Sequence, residues 1–327
     1  MVSEDEVPLK LLLLGTGDFA RPAFAALAAG PHGIVGLVTQ PDRSGAGHHN
    51  HPHPMKDEFL ERGIPVLQPP DVNSPETLDR LVTLDADLAV VAAYGQILRP
   101  ELLSIPRLGA INLHASLLPR HRGATPIHHA ILAGDSKTGV SIFQIEPAVD
   151  TGPLLGTVCT TISDDETSGK LHDRLAQLAV DLAVNVVEQL ASGTTRPLEQ
   201  DDALATRAPR LSKSDAEIDW SCDATTLDRH VRAMQPWPNP FTFLHTADAP
   251  PRRLIILAVE TGPLLEEIPA GTVVSGDNRD GLVVGCGGGT VRVTRLQPEG
   301  RRPMEAETFL RGTVLGPTTR LGPRSGN

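Results

Sequence analysis

What most constrains this chain is a series of short apolar runs, each broken by a turn and followed by a helix-like stretch. Lys10 to Leu14 is the first, and Gly15-Thr16-Gly17-Asp18-Phe19-Ala20 breaks it. Pro22 to Ala29 then reads as a helix closed by Gly30. Ile34 to Thr39, Ile64 to Leu67 and Leu88 to Ala93 repeat the strand pattern. Met55 to Arg62 and a helix opened by Ser74-Pro75-Glu76 lie between them. Runs that are apolar on both sides, alternating with helices, specify a parallel sheet covered on both faces. The expected class is therefore α/β, with Thr138 to Gln144 and Gly156 to Thr161 as a hairpin-like return and Thr167 to Leu190 as the longest helix.

After Thr194 the pattern changes. Residues 195–212 keep no sustained period and read as a linker. Beyond them come a helix over Asp223 to Ala233 and an irregular Pro236-Trp237-Pro238-Asn239-Pro240. Short strands follow at Phe241 to His245, Arg253 to Glu260, Thr272 to Ser275, Leu282 to Gly285 and Thr290 to Leu296. Many short strands with glycine-rich turns point to a small β-barrel or sandwich. The chain thus reads as two domains: 1–194, and 213–327 after the linker.

The chemistry concentrates between Gly109 and Pro126. Leu108 to Ile111 reads as a buried strand running into Asn112-Leu113-His114, with Pro119 to Gly123 as the loop that ends it. Residues two apart on a strand share a side, so Asn112 and His114 face one way at a strand end. Open α/β sheets keep their sites there. An amide donor beside an imidazole polarises a carbonyl and accepts a proton from an attacking amine. Asp150, in Val149-Asp150-Thr151-Gly152, is a carboxylate able to orient or charge that histidine. The rival view of Asn112 and His114 is a hydrogen-bonded pair with no chemical role.

Other signals carry competing readings. Gly15-x-Gly17-x-x-Ala20 after an apolar strand fits a dinucleotide-binding turn, which also requires an acidic residue ending the second strand. That strand runs instead into Thr39-Gln40-Pro41, and Asp42 arrives late, which argues against an NAD-dependent dehydrogenase. The glycines then serve a tight strand-to-helix turn. His48, His49, His51 and His53 crowd one loop, either as a metal site or as a solvated segment. The prolines between them, with no cysteine nearby, favour the second. Ser116 lacks the G-x-S-x-G elbow of a nucleophile.

A net charge of −11, nearly all of it carried before residue 211, is not the balance of a general nucleic-acid binder. Cys159, Cys222 and Cys286 are scattered without metal spacing, as buried reduced thiols would be. Leu11 to Leu14 is too short for a leader core or a membrane span, so the protein is expected in the cytoplasm and off the membrane.

Taken in order, Asn112-x-His114-x-Ser116-Leu117-Leu118-Pro119, then Arg122-Gly123-Ala124-Thr125-Pro126, then Asp150-Thr151-Gly152, resemble the 10-formyltetrahydrofolate-dependent formyltransferases. Further matching pieces are AYGQIL at 93–98, LSKSDAEIDW at 211–220, RAMQPWPNPF at 232–241 and LQPEGRRPM at 296–304. The later pieces are similar to the branch that acts on methionyl-tRNA. The resemblance implies a Rossmann-like catalytic domain with a parallel-rich sheet, followed by a smaller OB-like β-barrel that helps hold tRNA. It implies transfer of the formyl group of 10-formyltetrahydrofolate to the α-amine of methionine on initiator tRNA, by a monomer and without a metal. Asn112, His114 and Asp150 would be the catalytic trio. Folate would lie against Ser116, Leu117, Leu118 and Pro119 and the backbone of Gln96, Ile97 and Leu98. Arg43, His48, His49, Arg295, Arg301 and Arg302 would contact tRNA. Where the family's loop after the second strand is rich in Lys and Arg, this chain carries histidines. A sugar nucleotide or small amine as acceptor, and a non-catalytic folate-binding module, are the alternatives.

Overall fold

The computed structural model describes residues 8–42, 54–247, 249–264, 268–277, 280–316 and 318–324. Arg43, His48, His49, His51 and His53 lie outside the described residues. The chain forms two compact units. One comprises Met1–Pro126, Lys137–Thr161 and His172–Pro209, the other Ile127–Ser136, Ile162–Leu171 and Arg210–Asn327.

In chain order the elements are β1 (Lys10–Gly15), α1 (Arg21–Ala29), β2 (Gly33–Val38), α2 (Pro54–Glu61), β3 (Val66–Leu67), α3 (Pro75–Thr83) and β4 (Leu88–Ala92). Next are α4 (Pro100–Leu103), β5 (Ala110–His114), β6 (Arg122–Gly123), α5 (Pro126–Ala133), β7 (Lys137–Gln144), β8 (Leu154–Thr161), α6 (Ser168–Ala191) and β9 (Arg207–Ala208). The remainder are α7 (Ala224–Ala233), β10 (Phe241–Thr246), β11 (Ala249–Thr261), β12 (Val273–Asp277), β13 (Gly281–Cys286), β14 (Gly289–Pro298), β15 (Met304–Glu305), α8 (Ala306–Arg311) and β16 (Arg320–Gly322).

The first unit is built on a sheet ordered β3-β2-β1-β4-β5-β7-β8. β3 to β5 pair in parallel, whereas β5–β7 and β7–β8 are antiparallel, so the sheet is mixed but parallel-rich. Leu11 to Leu14 and Leu88 to Ala92 are almost wholly buried, which is why they carry no polar residue. Ser74 caps α3 by accepting from the Thr77 N–H, as the Ser-Pro-Glu start predicts. β5 runs past its apolar lead-in to His114, because Asn112 to His114 still pair with Phe143, Ile142 and Ser141 of β7. Gly15 sits where a Cβ would come within 2.6 Å of Phe24 and 2.8 Å of the Ala92 carbonyl. The close approach of α1 to the sheet therefore requires glycine there.

The second unit carries an antiparallel sheet ordered β12-β13-β14-β11-β10-β16, with β15 on β14. Its core gathers Trp220, Leu227, Val231, Leu254, Ile256, Leu282, Val293, Phe309 and Leu321. β11 is longer than its apolar segment indicates, because register shifts around Ala258 let it bend and keep pairing with β14. The short β15, α8 and β16 carry too few residues to show a period.

All three cysteines are free, but only Cys286 is buried. Cys159 is exposed, contrary to expectation, since it lies on β8, the edge strand whose residues alternate between packed and open sides. No helix among the described residues is long and apolar enough to cross a membrane.

Candidate active site

β5 ends at the carboxyl edge of the parallel strands, beside β4. Asn112 and His114 share one side of it. Asn112 is half-buried, and its side-chain amide has no hydrogen-bond partner among the described residues. It is a donor and acceptor held on a rigid strand with both functions open. His114 is the opposite case, buried with both ring nitrogens facing protein.

Nε2 of His114 lies 2.9 Å from the carbonyl oxygen of His121. A carbonyl can only accept, so Nε2 carries the proton and Nδ1 is the basic nitrogen. Nδ1 faces Asp150 Oδ2 at 3.7 Å, with the two side chains 6% and 14% exposed. Burial pushes the His114 pKa below the ordinary histidine value, and the Asp150 charge opposes that shift. The ring is thus a neutral base at pH 7, and a proton taken at Nδ1 would sit directly before the carboxylate. The same Oδ2 accepts the Gly123 N–H at 2.7 Å, which leaves Oδ1 the more open oxygen.

Both groups that orient His114 come from residues in the left-handed region: His121 at φ 60° and Asp150 at φ 54°. Asp and His are among the non-glycine residues that tolerate such angles, at a modest cost that surrounding contacts offset. Residues 198–208 supply such contacts here. Thr206 Oγ1 accepts the His121 N–H at 2.8 Å, and β9 pairs in parallel with β6, Arg122 opposite Arg207 and Gly123 opposite Ala208. Gly123, at φ 127°, leaves room for this pairing: a Cβ would lie 2.5 Å from the Ala208 carbonyl. Gln200 donates from Nε2 to the carbonyls of Asp150 at 3.0 Å and Gly152 at 2.7 Å. Its Oε1 accepts from Arg122 Nε at 3.2 Å and Nη2 at 2.8 Å. Asp202 takes the other bond of that Arg122 nitrogen at 2.7 Å. The stretch that reads as a linker is therefore the wall behind the His114–Asp150 pair. Sequence reasoning missed Gln200; the only cue was a polar side chain in an otherwise featureless segment.

The other expected site residues fall into separate groups. Ser116 to Pro119 follow β5 directly, and Gln96 to Leu98 follow its parallel neighbour β4, so both segments leave adjacent strand ends. The Ser116 hydroxyl is not available to a ligand: it is fully buried and donates to the Arg120 carbonyl at 2.7 Å. Gln96 is likewise engaged, its Oε1 accepting the Val72 N–H at 2.9 Å. Ile97 stands 80% exposed, an apolar side chain at the surface. In the second unit Arg295 lies on β14 with Ala258 and Glu305 as in-register neighbours, and Arg301 and Arg302 follow that strand, all three exposed. No cluster of metal-ligating side chains occurs among the described residues.

The formyl transferase family model matches residues 9–187, and the model of the formyl transferase C-terminal domain matches residues 210–314. A methionyl-tRNA formyltransferase of Methylococcus capsulatus is 41% identical over 311 residues, covering 94% of this chain and 98% of the relative. One from Pseudomonas fluorescens is 44% identical over 318 residues, again covering 94% and 98%. Among solved structures, a sugar 3N-formyl transferase matches with a TM-score of 0.63 at 14% identity, over 90% of this chain and all of that one. HypX from Aquifex aeolicus in complex with tetrahydrofolic acid matches with a TM-score of 0.60 at 14% identity, over 93% of this chain and 47% of that chain. These two share the fold.

Proposed function

We propose that this chain, which belongs to the methionyl-tRNA formyltransferases, a branch of the formyl transferase family, moves the formyl group of 10-formyltetrahydrofolate onto the α-amino group of methionine on initiator tRNA. The observation that carries the reading is the open Asn112 amide two residues from a buried histidine that faces a carboxylate.

Asn112 donates to the formyl oxygen as negative charge grows there, a contribution of typically ~3 kcal/mol. Asp150 receives the acceptor amine at Oδ1, and His114 takes the released proton at Nδ1. The resulting imidazolium faces Asp150 and stands on the same strand side as Asn112, so its charge adds to that of the amide at the oxyanion. The new carbon–nitrogen bond forms to the methionine amine, the bond to N10 breaks, and the proton held by the pair returns to N10. A formamide on N10 needs no metal to react this way.

For folate we assign the backbone of Gln96 to Leu98 and of Ser116 to Pro119, with the apolar Ile97 and Leu117 as packing surface. We divide the chain into a catalytic domain at 1–194, a connecting segment at 195–212, and an OB-like tRNA-holding domain at 213–327. Arg295, Arg301 and Arg302 support that last role as exposed cations, and Arg43, His48 and His49 are assigned to the tRNA through the loop after β2. The reaction is placed in the cytoplasm, with the chain acting as a monomer.

A formyl-transfer assay with 10-formyltetrahydrofolate tests the reading, offering charged initiator Met-tRNA and, separately, an amino-sugar nucleotide. Formylation of the tRNA alone is the expected result. Turnover of the sugar with an inert tRNA would move the chain to another acceptor class.

A further inference from the structure

Gln200 has no part in the chemistry just described, yet it holds four bonds behind the proton pair. We propose that Gln200 is a positioning residue for formyl transfer, clamping the Asp150–Gly152 turn to Arg122 so that the Asp150 carboxylate stays opposite His114. The inference rests on the reading of His114 and Asp150 as the proton pair.

The bonds close a ring. Gln200 Nε2 donates to the carbonyls of Asp150 and Gly152 at 3.0 and 2.7 Å. Gln200 Oε1 accepts twice from the Arg122 guanidinium, at 3.2 and 2.8 Å. The residue after Arg122 is Gly123, whose N–H donates to Asp150 Oδ2 at 2.7 Å. The carboxylate and its own main-chain carbonyl are thus held by one short stretch of β6, directly at one end and through Gln200 at the other.

This geometry asks for an amide. Both Nε2 hydrogens point at carbonyls, and a carboxylate in that place would set oxygen against oxygen. Oε1 accepts twice from the Arg122 guanidinium, which a side chain offering only donors could not do. Asparagine is one methylene short of spanning the gap. The clamped residue, Asp150, stands at φ 54°, so the two carbonyl bonds fix a left-handed turn whose alternatives would re-aim the carboxylate. Without Gln200 the main-chain carbonyls of Asp150 and Gly152 lose this anchor, and of these bonds the Gly123 N–H alone ties the turn to β6. A displacement of ~1 Å in a proton-transfer pair costs on the order of 10²-fold in rate.

The same segment governs the other partner of the imidazole. Thr206 Oγ1 accepts the His121 N–H, and Thr206 N–H donates to the Pro119 carbonyl at 3.3 Å. His121 presents the carbonyl that fixes the tautomer of His114. Residues 200 to 206 therefore set both hydrogen-bonding directions of one ring, which gives this stretch a role beyond joining two units.

The test uses the full chain with Gln200→Ala, Gln200→Glu and Asp150→Asn. Each is measured for melting temperature, kcat and folate KM in tRNA formylation, the pH profile of kcat, and the His114 titration by NMR. Gln200→Ala should lower kcat by ~10- to 100-fold with folate KM within about twofold. His114 should then titrate at lower pH, having lost the support of the carboxylate. Gln200→Glu keeps the size but sets oxygen against the carbonyls of Asp150 and Gly152, so it should lower kcat as the alanine variant does, while its added charge moves the acidic limb of kcat to higher pH. This second variant decides the matter if the alanine variant fails to fold. Wild-type kcat and an unchanged His114 titration in either folded variant would overturn the clamp. If Asp150→Asn is inactive while Gln200→Ala behaves as wild type, only this inference fails. If Asp150→Asn itself keeps wild-type kcat, the reading of the proton pair fails first.

Discussion

Two loops leave the carboxyl edge of the parallel sheet with opposite promise in the sequence. The loop after β1, Gly15-Thr16-Gly17-Asp18-Phe19-Ala20, has the spacing of a nucleotide cradle. The loop after β5 has only Asn112-x-His114. In the folded chain their polar groups are disposed the other way round. Thr16 Oγ1 pairs with Thr39 Oγ1 and accepts the Gln40 N–H, at 3.2 and 3.1 Å. Gln40 Nε2 reaches the Tyr94 carbonyl at 3.0 Å, and Gln68 Nε2 reaches the Gln40 carbonyl at 2.9 Å. The Thr16 hydroxyl of the first loop thus bonds inward, and Gly15 lets α1 pack on the sheet, with Asp18 left exposed. The second leaves an amide open beside a buried histidine that faces a carboxylate. A named spacing fixes backbone shape, whereas chemistry shows as polar groups the fold leaves unsatisfied or sets against each other.

The largest effects should therefore come from β5 and the turn that faces it. Asn112→Ala removes an oxyanion donor and should cost ~10²–10³-fold in kcat. His114→Ala and Asp150→Ala should each cost on the order of 10²–10⁴-fold as parts of one proton relay. The effect of changing both together should be far from additive, because they act as a unit. Circular dichroism and melting should confirm that each variant folds. Near wild-type kcat in any of the three would remove that residue from the site and weaken the contrast with the first loop.

Much of this was legible beforehand for a physical reason. Strands buried on both faces must be apolar, so Lys10 to Leu14 and Leu88 to Ala93 stood out, and the period-two rule placed Asn112 and His114 on one side. Two things were hidden. The β9 and Gln200 contacts depend on a parallel pairing between residues distant in sequence, and two-residue strands carry no period. The resemblance sets Ser116 against folate, and nothing in the sequence around it shows that its hydroxyl turns inward. The hydroxyl is buried in a tight turn, where it donates to the Arg120 carbonyl.

Next in size is a change that should harm the fold and spare the chemistry. A Cβ on Gly15 would meet Phe24, the Ala92 carbonyl and Ala20 within 2.9 Å. Gly15→Ala should destabilise the chain by ~1–3 kcal/mol, as overpacking does. Scanning calorimetry should record the lower melting temperature, and kcat at low temperature should stay near wild type. A loss of kcat without a loss of stability would mean that the first loop meets substrate after all.

Smaller again is the pH dependence of stability. The folded His114 holds its pKa below the unfolded value of ~6.5, so the unfolded chain binds more protons as pH falls. Unfolding free energy should then be greatest above pH 6.5 and decline as pH drops from there toward the folded-state value. Burial depresses His230 in the second unit in the same direction. Urea melts between pH 5 and 8 on His114→Asn and His230→Asn separate the two contributions. Each variant should show a shallower decline than the wild type, and a slope unchanged by His114→Asn would contradict the buried neutral ring.

The least disruptive change sharpens the comparison most, because it lies inside the second loop yet outside its chemistry. Ser116 is the polar residue nearest to His114 in the following turn, but its hydroxyl closes that turn on Arg120, and its carbonyl accepts from Ser141 Oγ at 2.7 Å. Ser116→Ala leaves the carbonyl bond in place and removes one internal hydrogen bond, a loss of about 1 kcal/mol. Stability should fall by that much while folate KM and kcat change by less than about twofold. A tenfold rise in folate KM at unchanged melting temperature would instead make the hydroxyl a ligand. The two loops would then differ in which of their hydroxyls a substrate can draw out of its turn, and hydrogen bonding in the free enzyme would no longer tell them apart.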